Sequence, residues 1–188
     1  GNCIGGAHMK IMIPAWVNGE IEPVEKLEAH LKGLKHKAVS VFMVHQKEIL
    51  IQRRALEKYH TPGLWANTCC THPNWNENTE NCARRRMCDE LGLQNTQPIF
   101  RDTIEYRANV GNGLIEHEVV DLFLLHVHEK PQFKANPEEV MDTRWIDYHD
   151  LKAEVRRWPY RFTPWMRIYL DHHSEKIFNE RMLNISAA

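Results

Sequence analysis

The chain has 188 residues, a length that favours a single domain with its own hydrophobic core. Its formal net charge of −1 provides no overall field that would attract nucleic acid or an anionic membrane, so an anion must be bound by a local basic cluster. No apolar run approaches the ~18 residues of a membrane span, and no secretory signal is visible. We therefore expect a cytoplasmic protein with no membrane or nucleic-acid partner.

The first nine residues, GNCIGGAHM, are typical of a cloning remnant, and we expect the single domain to span residues 10–188. Beyond them lie four cysteines: Cys69, Cys70, Cys82 and Cys88. They lack the paired Cys-x-x-Cys spacing of a metal site, and a chain of this length needs no disulfide staples. Reduced thiols are therefore expected.

The predicted elements begin with two short apolar runs, residues 38–44 and 49–53, which flank HQKE and predict a β-hairpin. From Asn78 the pattern becomes helical, with apolar residues at helical spacing. Asn78 is a suitable N-cap for this helix, and Gly92 is a suitable C-terminal stop. Residues 99–108 then predict a strand.

The second half of the chain continues with a turn at GNG, residues 111–113, and a long apolar strand at 114–128. A short strand at 143–147 is followed by a short helix at 148–158. A Thr-Pro pair then predicts a C-terminal helix over residues 163–183. Strands grouped around one helix, with helices at the end, predict a mixed sheet covered on both faces, an α/β or α+β domain.

The segment WANTCCTHP, residues 65–73, places two adjacent cysteines two positions before a histidine. In an extended segment, residues two apart share a face, so Cys70 and His72 point to one side and Cys69 to the other. The segment alone is compatible with a metal site, a redox pair, a catalytic thiol or two small buried residues.

Two carboxylates lie within the predicted strand 114–128. Glu116 and Glu118 share one face, ~7 Å apart along the strand. Burial of carboxylates is costly unless they are paired or bound to metal. Because the same face continues with Val120, Leu122 and Leu124, we favour a metal or acid–base role over a solvated face.

The predicted helix after Asn78 carries a basic run at 84–86, followed by Asp89 and Glu90. Such a run is most often a solvated face. Carboxylates that bind Mg²⁺, with basic side chains around the phosphates, are also what a Mg²⁺–diphosphate site requires. Arg54 and Lys58 add a second basic group after the predicted hairpin.

Residues 71–93 resemble a modified Nudix box. The family pattern is Gly, five residues, Glu, seven residues, then Arg-Glu-aliphatic-x-Glu-Glu-x-Gly-aliphatic. Here one acidic ligand is replaced by Arg86 and another is shortened to Asp89, which argues against ordinary Nudix hydrolysis. The box positions are occupied by Thr71, Glu77, Arg85, Arg86, Met87, Asp89, Glu90, Gly92 and Leu93.

Together with its flanking motifs, the chain is similar to the type 1 isopentenyl-diphosphate isomerases, from about Glu25 to Met166. The resemblance implies a Nudix-type α/β/α sandwich with a mixed central sheet. It also implies conversion of isopentenyl diphosphate (IPP) to dimethylallyl diphosphate (DMAPP) through a tertiary carbocation. The matching stretches are QRRALEKYHTPGLWANTCCTHP, RRRMCDELG, IEYRA, GLIEHEVVDLF, NPEEVMDTRWID and FTPWM.

The resemblance implies Cys70 as the catalytic cysteine, Glu118 as its partner and Tyr106 as a further catalytic residue. It implies one Zn²⁺ or Mn²⁺ ion at His30, His36, His72, Glu116 and Glu118. For substrate it implies Mg²⁺ at Glu90, a diphosphate held by Lys26, Arg54, Lys58 and Arg86, and an isoprenoid pocket lined by Tyr106 and Trp165. No organic cofactor is expected, and the chain is expected to be a monomer or weak dimer.

Two other functions remain open at this point. A Nudix hydrolase of a nucleoside or isoprenoid diphosphate would use Glu90 and Asp89 as metal ligands and would release phosphate. A non-catalytic, zinc-stabilised binding module would fold with metal but would turn nothing over. The binding module would leave the basic cluster and Trp165 without a function.

Overall fold

A computed structural model describes residues 10–184, so the prediction of a cloning remnant at residues 1–9 lies outside it. The architecture is a mixed nine-stranded sheet with helices on both faces. The strands are β1 Met12–Val17, β2 Glu20–Glu25, β3 Lys35–His45, β4 Glu48–Arg54, β5 Trp65–Ala66, β6 Cys69–Thr71, β7 Ile99–Gly111, β8 Leu114–His126 and β9 Val140–Asp147. The helices are α1 Lys26–Lys32, α2 Thr79–Leu91, α3 Tyr148–Arg157, α4 Pro164–His172, α5 Ser174–Ile177 and α6 Glu180–Leu183, with a 3₁₀ turn at Pro159–Arg161.

Strand β3 organises the sheet. It pairs in parallel with β8, from Lys35 opposite His117 to Val44 opposite His126. It also pairs antiparallel with β1, β6 and β4 in turn along its length. Its residues from 38 to 44 are all buried, as expected for a central strand covered on both faces.

Alternation along β3 divides the core into two layers. Val41 and Met43 pack against α2 residues such as Met87. Phe42 packs on the other face with Tyr169 and the other buried residues of α3 to α6. The predicted α/β/α sandwich with a mixed sheet is therefore confirmed.

The local predictions for the hairpin and the central helix are also confirmed. Strands β3 and β4 form the hairpin that was predicted around HQKE. The Oδ1 atom of Asn78 accepts a hydrogen bond from the backbone N–H of Asn81 at 2.8 Å, which caps α2. Gly92 ends the helix with φ of 68°, and a Cβ atom there would come within 2.7 Å of the Lys134 carbonyl oxygen.

The prediction of one C-terminal helix over residues 163–183 is wrong, because the segment forms the three short helices α4, α5 and α6. The backbone leaves the helical conformation at His173 and becomes extended at Phe178. Asn179 then caps α6. The breaks turn Ile177 and Phe178 into the core, where their exposure is at most 1%. Burial of these side chains outweighs continuation of the helix.

Residues 10–34 form β1, β2 and α1, which the sequence pattern did not predict. Strand β2 lies at the edge of the sheet. Pro23 is tolerated there although it has no backbone N–H to donate to a neighbouring strand. Within the described part of the chain, helices long and apolar enough for a membrane span do not occur.

Candidate active site

One cavity collects side chains from three helices and three strands. Its wall is formed by α1, α2, α4, β4, β6 and β8, together with the loop that follows β4. About 430 Å³ of space that no atom fills, part of it open to solvent, lies between these side chains. The predicted site residues that line it include Lys26, Arg54, Cys70, Glu90, Glu116 and Trp165.

The two adjacent cysteines face opposite sides of β6. Cys69 is fully buried in the layer that contains Met87, and its thiol donates a hydrogen bond to Glu90 Oε2 at 3.2 Å. Cys70 faces the cavity instead. Cys69 and Cys70 are free thiols, as are Cys82 and Cys88. The opposite orientation of Cys69 and Cys70 agrees with the alternation inferred from WANTCCTHP.

The Cys70 thiol is held by a buried hydroxyl pair. Its Sγ atom lies 3.2 Å from Ser40 Oγ, which in turn lies 2.7 Å from the Tyr169 hydroxyl. Burial, followed by the charges of Glu118 and Glu116, raises the pKa of Cys70 well above its usual value. The thiol therefore retains its proton at neutral pH.

Two histidines, His36 and His72, contact Glu118, and a third, His30, faces Glu116. The Nδ1 atoms of His30 and His36 lie 2.7 and 2.8 Å from the carbonyl oxygens of Lys26 and Leu34, a geometry in which each ring donates Nδ1–H to the backbone. In the neutral form of each ring, Nε2 then carries the lone pair and faces a carboxylate. His36 Nε2 and His72 Nε2 lie 3.0 and 2.7 Å from Glu118 Oε2.

This donor set fits a transition metal. One ligand atom from each of His30, His36, His72 and Glu118 lies within 4.8 Å of the others. The buried atoms His30 Nε2 and His72 Nδ1 have no hydrogen-bond partner within residues 10–184. Imidazole nitrogen with carboxylate oxygen suits Zn²⁺ or Mn²⁺, and lone pairs facing a carboxylate require a cation or a proton between them.

Both carboxylates are ionised in this arrangement. Burial and the neighbouring Glu118 raise the pKa of Glu116, but its contacts with His30 and His60 outweigh them and bring the pKa to about 2. Burial likewise opposes ionisation of Glu118, and its contact with His36 outweighs it, so the pKa of Glu118 is lowered. For His36 burial disfavours the charge, yet the contact with Glu118 raises its pKa.

Tyr106 lies behind the two carboxylates. Its hydroxyl lies 2.7 Å from Glu116 Oε2 and 2.6 Å from Glu118 Oε1. The two strands bring it there, because Tyr106 of β7 is the cross-strand partner of Glu118. The structure thus places the Tyr106 hydroxyl against both carboxylates. The resemblance implied two roles for Tyr106, one catalytic and one as an aromatic residue of the pocket wall.

Four basic side chains contribute to the wall of the cavity: Lys26, Arg54, Lys58 and Arg86. Lys58 donates to Glu139 Oε2, and Arg86 lies 3.5 Å from the same oxygen. Burial is the main reason that the pKa of Lys26 falls to about 8, and the charges of Lys58, Arg86 and Arg54 add to it. This cluster concentrates positive charge locally in a nearly neutral chain.

The two acidic residues that end α2 point in different directions. Glu90 is 4% exposed, accepts a hydrogen bond from Gln52 Nε2 at 3.1 Å, and lies 3.3 Å from Arg86. The Asp89 side chain is 48% exposed and pairs with Arg85 and Arg86 on the surface. Only Glu90 of this pair lines the cavity.

Trp165 closes the cavity at the start of α4. The indole is 1% exposed, and the capping Thr163 accepts a hydrogen bond from the Met166 N–H, which fixes the first turn. The guanidinium carbon of Arg54 lies 5.2 Å from the ring centroid. The ring is therefore placed to interact with positive charge.

Four residues around the cavity were missed by the analysis of the sequence. Ser40 contacts the Cys70 thiol, Tyr169 contacts Ser40, and Glu139 pairs with Lys58 and Arg86 of the basic cluster. His60 Nε2 lies 3.1 Å from Glu116 Oε1. A signal existed only for His60, which stands in YHTPG directly after the basic residues Arg54 and Lys58.

Comparisons with known proteins agree with this geometry. The NUDIX domain model matches residues 34–166. A protein of Ruegeria pomeroyi named isopentenyl-diphosphate Delta-isomerase is 61% identical over 93% of this chain and 97% of its own length. A protein of Dinoroseobacter shibae with the same name is 60% identical over 90% and 97%.

Solved structures with low sequence identity show the same fold. DR0079 from Deinococcus radiodurans superposes with a TM-score of 0.66 at 13% identity, over 85% of this chain and 96% of that one. The MutT protein of Methanosarcina mazei gives 0.59 at 14% identity, over 73% and 91%. From the family model, the relatives and the shared fold, the chain belongs to the Nudix family and, within it, to the isopentenyl-diphosphate Delta-isomerases.

Proposed function

We propose that the chain converts IPP to DMAPP. The observation that carries this proposal is the placement of Cys70, Glu116 and His72 around one cavity, with four basic side chains and Trp165 in the same wall. Glu118 lies next to this wall, with its Oε2 atom 2.7 Å from His72 Nε2. The names of the relatives described above support the same reaction. An isoprenoid diphosphate has an anionic head and an apolar tail, and this cavity offers a partner to each.

The reaction moves a double bond from the 3,4 to the 2,3 position. One proton is added at C4, which leaves a tertiary cation at C3, and another proton is removed from C2. An acid and a base on the two faces of the alkene are sufficient, and no atoms are gained or lost overall. Cys70 on β6 and Glu118 on β8 come from strands on opposite edges of β3, which suits such a pair.

Each group has a partner that can keep it in place. Ser40 holds the Cys70 thiol, and Tyr106 holds Glu118 by its hydroxyl. Orientation of both groups before substrate binds lowers the entropic part of the barrier. The face of Trp165 would stabilise the developing cation. Burial of the site keeps water away from the cation, which would otherwise be trapped as an alcohol.

The diphosphate would be bound by Lys26, Arg54, Lys58 and Arg86. Glu90 would hold a Mg²⁺ ion, which would supply further positive charge to the phosphates. Such binding places the alkene at a fixed distance from the anion site. It also explains the replacement of an acidic box residue by Arg86, since a cation there contacts phosphate instead of a second metal.

A transition metal of the Zn²⁺ or Mn²⁺ class would be held by His30, His36, His72, Glu116 and Glu118. When bound, it supplies fixed positive charge next to Glu118 and tunes the acidity of that carboxyl group. His30 and His36 are pre-oriented for this by hydrogen bonds from Nδ1 to backbone carbonyl oxygens. The chain itself performs the proton transfers.

The test is incubation of purified protein with IPP and Mg²⁺ while DMAPP and free phosphate are measured together. We expect DMAPP to form with all phosphate conserved. Protein treated with a strong chelator and then given only Mg²⁺ should be inactive, and added Zn²⁺ or Mn²⁺ should restore activity. Release of phosphate would instead establish the hydrolase, and metal uptake without turnover would establish the binding module.

The structure offers the hydrolase alternative less support. That reaction would use Asp89 together with Glu90, yet Asp89 points to the surface and pairs with Arg85. A single box carboxylate at the cavity suits substrate-bound Mg²⁺ better than a hydrolytic metal cluster.

A further inference from the structure

His60 is a buried histidine with no role in the reaction described above. It is 3% exposed and lies in the loop between β4 and β5, at the edge of the cavity. Both ring nitrogens have partners: Nε2 lies 3.1 Å from Glu116 Oε1, and Nδ1 lies 2.8 Å from Thr61 Oγ1. Its carbonyl oxygen accepts a hydrogen bond from Arg54 at 3.2 Å. The ring is thus fixed at every polar atom.

The neighbour that fixes Nδ1 has an unusual backbone. Thr61 has φ of 48°, a left-handed conformation that is an outlier for a β-branched residue. It also precedes Pro62, and a following proline favours extended backbone. Such strain persists only where surrounding contacts over-determine it, and it concentrates at functional sites. Here its effect is to place the Thr61 hydroxyl against the His60 ring.

The position of His60 relative to the metal ligands is informative. His30, His60 and Glu116 form a second group whose ligand atoms lie within 4.8 Å of one another. This group shares His30 with the group that contains His36, His72 and Glu118. Since His30 donates Nδ1–H to a backbone oxygen, it has one nitrogen left and can bind one ion only. His60 therefore does not define a second, independent metal site.

We propose that His60 is a positioning residue of the metal centre: Thr61 holds its ring, and its Nε2–H donates to Glu116 Oε1 and so orients this carboxylate toward the metal. The proposal rests on the metal centre of the proposed function. Carboxylate ligands are commonly oriented by such outer hydrogen bonds, whose removal typically weakens metal binding ~10–100-fold.

The test measures metal affinity directly. Zn²⁺ affinity is determined by competition with a chromogenic chelator for wild type, His60→Leu and His60→Gln. Leucine cannot donate, whereas the glutamine amide can. We expect His60→Leu to bind Zn²⁺ ~10–100-fold more weakly and His60→Gln to recover most of that loss. His126→Leu, which removes an exposed histidine at the far end of the same strand as Glu116, is the matched control and should bind as wild type does.

Two further readouts separate positioning from other roles. The absorption bands of Co²⁺-loaded His60→Gln should match those of wild type, because the ligand set is unchanged, and loss of a nitrogen ligand would overturn the proposal. Thr61→Gly, which tolerates the backbone conformation but lacks the hydroxyl, should also lower Zn²⁺ affinity severalfold. It provides the test if His60→Leu fails to fold.

The outcomes distinguish the role of His60 from the existence of the metal centre. If wild type binds metal and both His60→Leu and Thr61→Gly bind it equally tightly, the role of His60 is refuted while the metal centre stands. If wild type binds no transition metal, the metal centre itself is refuted, and His60 has nothing to orient. Neither result depends on turnover of IPP.

Discussion

Substitution of the two adjacent cysteines tests the assignment of the active site most sharply. Cys70→Ala removes a group proposed to transfer a proton, a function typically worth ~10²–10⁴ in rate. This corresponds to about 2.7–5.4 kcal/mol in the barrier. Because Cys70 lines the cavity and the hydroxyl pair of Ser40 and Tyr169 remains behind it, we expect kcat to fall by this amount with the fold intact.

Cys69→Ala is the matched control. It removes the thiol that donates to Glu90, but Glu90 keeps its contacts with Gln52 and Arg86. We therefore expect kcat to stay within about tenfold of wild type, or ~1.4 kcal/mol in barrier. Cys69 is fully buried, so the loss of one methyl-sized group should cost about 0.5–1.5 kcal/mol of folding stability.

The assay is kcat on IPP for both variants, with circular dichroism and thermal unfolding as folding controls. A large loss confined to Cys70→Ala supports the assignment. Equal losses would contradict the division of the two side chains between opposite faces of β6. A loss confined to Cys69→Ala would move the catalytic thiol by one residue.

Substitutions at three further positions extend the test. Glu118→Gln keeps the shape of the side chain but not its basicity, so kcat should fall ~10²–10⁴-fold; near-normal turnover would assign the proton transfer to another group. Trp165→Leu should raise the activation barrier by about 2 kcal/mol and so lower kcat, by more than Trp165→Phe, which keeps a π face. A rise in KM alone would indicate that Trp165 has only a packing role. Because Lys26 is charged only below its pKa of about 8, kcat/KM should decline above that pH, and Lys26→Arg should remove the decline; an identical pH profile in Lys26→Arg would rule out this role.

Much of the site was predictable because it is built on regular elements. The period-two alternation of strands placed Cys70 opposite Cys69 and kept Glu116 beside Glu118. The helix α2 has its cap and its stop in its own sequence, so its bounds required no tertiary information.

The parts that escaped prediction depend on contacts distant in sequence. Glu139 reaches Lys58 across 81 residues, and Tyr169 reaches Ser40 across 129, so neither pairing has a local signal. The C-terminal segment has continuous helical spacing, yet its path is decided by where Ile177 and Phe178 find the core. Strand β2 depends on β1 for pairing and contains Pro23, which weakens its local signal.

The pairing of β3 has a consequence for how this chain tolerates insertions and deletions. Within β3, His36 is opposite Glu118, and Ser40, four residues on, is opposite Cys70. A residue inserted between them would turn the following part of the strand over, and Ser40 would then point into the α2 layer. Among related chains, we expect the number of residues between His36 and Ser40 to vary far less than the length of the turn at Gln46 after β3. A residue added in that turn changes no pairing in the active site.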